Sequence, residues 1–228
     1  MDILYKISLW IVPVIYAITL HEISHGYVAK YFGDDSAVKH GRLSLNPIKH
    51  IDPIGSIIIP VLLLWMAGFV FGWAKPVPIQ PKNFPNPIKH FRLVLLAGPL
   101  ANLLMAVFWV LVMKIGAWFP SEFISAGNIF LHVGAAGVFI NTALMMFNLL
   151  PIPPLDGGRF LTTFLPLKYV EYLNKIESWS LLILVMLLVS GLLKSLLWSM
   201  MVYGMSMVTH VANLPVDVFI SSLNVLFN

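Results

Sequence analysis

Apolar residues run almost unbroken through 5–31, 54–72, 93–115, 129–150 and 178–213, and the polar residues collect between these runs. A helix needs about 20 apolar residues to cross the hydrocarbon core of a bilayer. The pattern therefore predicts about five transmembrane helices, and it leaves the last run open between one tilted helix and a hairpin divided at Lys194. The run at 54–72 is different. It is short, has Pro60 in its middle and Gly55 and Gly68 near its ends, and carries positive charge on both sides. Lys30, Lys39, Arg42 and Lys49 precede it, and Lys75, Lys82, Lys89 and Arg92 follow it. Cytoplasmic loops concentrate Lys and Arg, so both flanks are expected on one side. The run then reads as a re-entrant or β-hairpin-like membrane segment. The following Gly72-Trp73-Ala74-Lys75-Pro76-Val77-Pro78 is poorly suited to a regular helix. The expected fold is an all-α polytopic membrane protein, a single domain over 1–228 with a core at about 5–165 and accessory C-terminal membrane segments at 178–213.

Composition sharpens this reading. Of 228 residues 59% are hydrophobic and 11% charged, and the mean hydropathy is +0.87. A soluble globular domain is excluded by such values. The net charge of +4 is spread over loops that flank the apolar runs, which suits lipid headgroups and not nucleic acid. With no cysteine, any metal must be held by nitrogen and oxygen. The first 20 residues show no small-residue cleavage signal, so they are expected to remain as an anchor.

Chemistry enters with His21-Glu22-Ile23-Ser24-His25, an HExxH pattern inside the first apolar run. Residues four apart share a helix face, so both histidines can ligate one metal ion with Glu22 beside it. Buried in lipid, these polar groups cost several kcal/mol each unless paired or coordinated. A catalytic zinc site usually has three protein ligands and an open position, and Asp156 is the best third candidate. It follows Pro151, Pro153 and Pro154, which prevent a continuous helix, and precedes Gly157 and Gly158, which allow close backbone approach. The competing role for Asp156 is an N-cap of the helix beginning near Arg159. His40, His50 and His90 lie on charged loops and read as headgroup-facing surface residues, and His132 and His210 as helix contacts.

HExxH, then Ala97-Gly98-Pro99-Leu100-Ala101-Asn102, then Asn148-x-x-Pro151-x-Pro153-x-Leu155-Asp156-Gly157 together resemble the site-2 protease family of intramembrane zinc metalloproteases. The resemblance covers about residues 15–165 and is to the small, compact members without a PDZ or CBS domain. It implies one zinc per chain on His21, His25 and Asp156, Glu22 as general base, and Asn148 close to bound substrate. Asn102 matches a recurrent asparagine that joins the catalytic candidates. The implied activity is intramembrane cleavage of a membrane-anchored protein substrate, in the cell membrane with the active site toward the cytoplasm. The alternative is a membrane protein that uses the same ligands for metal binding or transport, or a scaffold that grips helices without cutting them.

Overall fold

The first apolar run winds into one helix, α1 (Ile3–Tyr31), and Gly33 ends it. At φ +95° Gly33 takes the left-handed turn that returns its N–H to Lys30 O and the Asp34 N–H to Ala29 O. The structure, a computed structural model, describes residues 3–67 and 72–227, and its regular elements there are all helical. A single turn, α2 (Ser36–Lys39), follows.

The run at 54–72 is helical over Ile54–Ala67, which corrects the β-hairpin-like alternative there. Asp52 Oδ1 accepts the N–H groups of Ile54 and Gly55, and Asp52 O that of Ser56, so a π-helical turn (Ile54–Ile58) starts and passes into α3 (Ile59–Ala67). Pro60 follows the π-helical turn inside this continuous helix, where its ring removes one backbone N–H. Residues 68–71, Gly68 among them, lie outside the described residues. Gly72–Gln80 then runs without helix.

Helix α4 (Pro87–Ala117) begins before its apolar run, because Asn86 Oδ1 caps the Lys89 N–H and Pro87 suits the first helical position. After α5 (Ile124–Asn148) and the short α6 (Asp156–Thr162) comes α7 (Leu167–Val189). The final apolar run, open in the sequence between one helix and two, forms two. Gly191, at φ +76°, separates α7 from α8 (Lys194–Val211). Beyond the predicted runs lies α9 (Val216–Phe227), whose Asp217, Ser221, Ser222 and Asn224 break its apolar character. Among the described residues α1, α4 and α5 are long and apolar enough to cross a membrane.

Two compact units share these helices. The first comprises Met1–Ala17, Pro99–Phe147 and Ser195–Asn228. Its core packs Trp109, Val110 and Met113 of α4 with Ala135, Ala136 and Val138 of α5 and Met205, Val208, Phe219 and Leu226 of α8 and α9. The second comprises Ile18–Gly98 and Asn148–Lys194. Among the described residues Ala29, Phe84 and Val94 form a buried apolar cluster there, and polar side chains clamp the irregular backbone. Asp34 accepts from Ser36, from the Gln80 N–H at 2.6 Å and from Asn83 at 2.8 Å. Arg42 donates to the carbonyls of Lys75 and Pro76. Ser56 donates to Trp73 O, and the Lys75 N–H to His50 O.

Candidate metal centre

Three ligand atoms converge within the second unit. His21 Nε2 and His25 Nε2 stand 3.2 Å apart, and Asp156 Oδ2 is 3.2 Å from the first and 3.3 Å from the second. A tetrahedral zinc ion with bonds of about 2.0–2.1 Å holds its ligand atoms about 3.3–3.4 Å apart, so the triangle already has the size of one face of that tetrahedron. His25 Nδ1 donates to Val94 O at 2.7 Å, which leaves Nε2 to present its lone pair. Asp156 Oδ2 is buried without a hydrogen-bond partner, although both imidazoles are at ion-pair distance. Acceptor atoms that face one point need a cation there, and the donor set suits zinc.

Local backbone brings Asp156 into reach. Pro151–Pro154, with Pro153–Pro154 cis, cannot continue α5, and the Ile152 N–H turns back to Leu150 O. A Cβ on Gly157 would collide with the carbonyl of Leu149, and one on Gly158 with the backbone of Ile152 and Pro153. Both positions therefore require glycine. Asp156 is the first residue of α6 and not its N-cap, which is Leu155. Burial pushes its carboxyl up, but the adjacent His21 and His25 outweigh burial and hold it well below the usual carboxylate range.

Glu22 is half-buried on α1, and its Oε2 accepts the Val77 N–H at 3.0 Å. Asn148 is the last residue of α5, half-buried, at the entrance to the turn that carries Asp156. Asn102 is fully buried in the first unit, where its Nδ2 donates to Asn141 Oδ1 at 3.0 Å and to Ala17 O at 3.2 Å. His50 is buried rather than on the surface, with Nε2 against Ser44 O. His90 stacks on Phe32 and His40 bonds Ser36 O. The sequence reading missed Gly98. A Cβ there would lie 2.5 Å from His25 Nε2 and 2.7 Å from His21 Nε2, in the space a bound ion needs. The signal was present in Ala97-Gly98-Pro99, but only the meeting of α4 with α1 reveals its meaning.

A histidine pair and an aspartate round a common point, with a glutamate next in sequence, are the residue types that a zinc hydrolase site uses. The model of Peptidase family M50 matches residues 114–191, which include Asn148 and Asp156. Over 204 residues the chain is 37% identical to "Putative zinc metalloprotease YwhC" of Bacillus subtilis, covering 88% of this chain and 90% of the relative. It is 32% identical over 175 residues to "Putative zinc metalloprotease Rip2" of Mycolicibacterium smegmatis, covering 76% and 64%. It is 28% identical over 165 residues to an archaeal relative of the same description, MJ0611 of Methanocaldococcus jannaschii, covering 70% and 75%. No solved structure matches the chain. The chain belongs to Peptidase family M50, the site-2 protease family of zinc metalloproteases. It is an integral membrane protein, and its metal is zinc.

Proposed function

We propose that this protein is an intramembrane endopeptidase that holds one zinc ion and cleaves transmembrane segments of membrane-anchored protein substrates. The reading places it in the cell membrane with the active site toward the cytoplasm, in keeping with Lys and Arg on both flanks of 54–72 and around Arg159 and Lys168. The observation that carries the activity is the convergence of His21, His25 and Asp156 beside Glu22. Bound there, zinc supplies a Lewis acid that polarises a carbonyl and makes water more acidic.

The chain's own residues do the rest. Glu22 is held by the Val77 N–H on Oε2, which leaves Oε1 to take a proton from water and deliver it to the leaving amide nitrogen. Asn148 is the residue we assign to hydrogen-bonding the substrate carbonyl, a role worth roughly 3 kcal/mol in hydrolases. The amide nitrogen of Asn102 is committed to Ala17 and Asn141, so we assign it to helix packing. A substrate helix must unwind before its peptide bonds are exposed, because its internal hydrogen bonds shield them.

A metal carrier or a helix-binding scaffold has no use for a base at Glu22, and this favours the enzyme. Glu22→Gln keeps the side-chain size but accepts no proton. The variant should retain native zinc content by elemental analysis. Its cleavage of a co-expressed membrane substrate with a helix-destabilising residue in the span should fall at least about a hundredfold. Equal cleavage by both proteins would sink the mechanism.

A further inference from the structure

Helix α6 carries Asp156 at its first residue and ends at Thr162, so it is a short rod with a metal ligand at its tip. Its near end rests on Gly157 and Gly158 against the Leu149–Pro153 backbone. Its far end is gripped from α4. Arg92 Nε donates to Thr163 Oγ1 at 2.7 Å and Nη2 donates to Thr163 O at 2.8 Å. The guanidinium also lies 3.6 Å over the ring of Phe164. Thr163 Oγ1 gives its own proton to Phe160 O at 2.7 Å, so the lone pair facing Arg92 is fixed in direction. Among the described residues Arg92 has no carboxylate at ion-pair distance. Its charge and its planar fork are directed at the carbonyl end of α6, where the helix dipole is negative.

We propose that Arg92 is a positioning residue that sets the reach of Asp156 into the zinc site by clamping the far end of α6. This rests on the zinc reading given above. The same stretch of α4 acts on the site twice more, since Val94 O orients His25 and Gly98 clears the space between the histidines. One helix thus fixes the relative placement of all three ligands. The lever is sensitive: over a seven-residue helix of about 10 Å, a tilt of about 6° displaces the tip by about 1 Å. Ligand distances must hold to about 0.2 Å.

The test is zinc affinity of the full chain in detergent, by competition with a chelator, beside thermal unfolding of the metal-free protein. Arg92→Ala should raise the zinc Kd about tenfold, the lower end of what supporting residues contribute. Arg92→Lys should do nearly the same, because an ammonium keeps the charge but not the fork. Thr163→Val should weaken binding and Thr163→Ser should match the native protein, which keeps the test open if Arg92→Ala fails to fold. In an Asp156→Ala background, which retains both histidines, Arg92→Ala should add no further loss. Native affinity in both Arg92→Ala and Thr163→Val overturns the proposal, and so does an equal loss with or without Asp156. A native protein that binds no zinc overturns the metalloprotease reading itself, a result distinct from either.

Discussion

The two units solve the burial of polar backbone in opposite ways. In the first, helices close on each other through side chains of matched size. Gly134 and Gly137 of α5 leave room for Met113 and Trp109 of α4, and a Cβ on Gly137 would strike the indole. Its central polar pair, Asn102 with Asn141, is bonded to its neighbours and to the Ala17 and Gly137 carbonyls. The second unit holds much irregular backbone, and side-chain donors and acceptors pin it. Gly72–Gln80 is tied by Ser56, Arg42, Glu22 and Asp34 in turn. Well-satisfied helices suit passage through lipid, whereas a hydrolytic site needs backbone that turns and groups that meet from distant parts of the chain. The candidate metal ligands, His21, His25 and Asp156, belong to the unit that is clamped, not to the one that is packed.

If that division is right, the largest effect should come from one methyl group at Gly98. Gly98→Ala puts a carbon 2.5 Å from His25 Nε2, so purified protein should lose nearly all its zinc by elemental analysis and its cleavage activity with it. Full occupancy would mean that the ion lies elsewhere. The matching change in the other unit, Gly137→Ala, forces Trp109 aside and should cost about 1–3 kcal/mol of stability as overpacking does, with zinc content unchanged. Chemical unfolding beside metal analysis separates the two cases.

Asn102→Leu sharpens the comparison further. Removing the amide leaves Asn141 Oδ1 and Ala17 O without that donor, a loss of about 1–3 kcal/mol. Folded protein should then cleave within a few-fold of native. A drop in cleavage as deep as that of Glu22→Gln, with stability intact, would return Asn102 to the chemistry.

The smallest effect concerns the clamp at Asp34. Burial pushes its carboxyl up, but bonds from Ser36, Gln80 and Asn83 outweigh burial and hold it below its ordinary value. Its contribution is therefore complete above the unfolded carboxylate pKa, near about 3.9, and is lost as pH falls through the lower folded value. Unfolding of native protein followed downward through about pH 4 should show a larger loss of stability than Asp34→Asn shows. Parallel curves would show that the clamp does not depend on charge.

Much of this was written along the chain. Hydrophobic runs located α1, α4 and α5 because each crossing must satisfy its backbone internally over about 20 residues, a constraint visible in any such sequence. Prolines with glycines marked the turn at Asp156, since these residues act on their own backbone, whereas the last apolar run was equally compatible with one tilted helix and with the α7–α8 pair. The early starts of α4 and α7 escaped because polar first turns carry no apolar signal. The HExxH spacing determined that two histidines and a glutamate share a helix, because helical periodicity is local. What the tertiary structure alone decided is everything that depends on two distant segments meeting: Asp156 within 3.3 Å of both imidazoles, Val94 as the carbonyl that orients His25, Gly98 as the space between the histidines, and Arg92 at the end of α6. Such contacts arise from packing between helices far apart in sequence, and no local pattern encodes the distance at which they close.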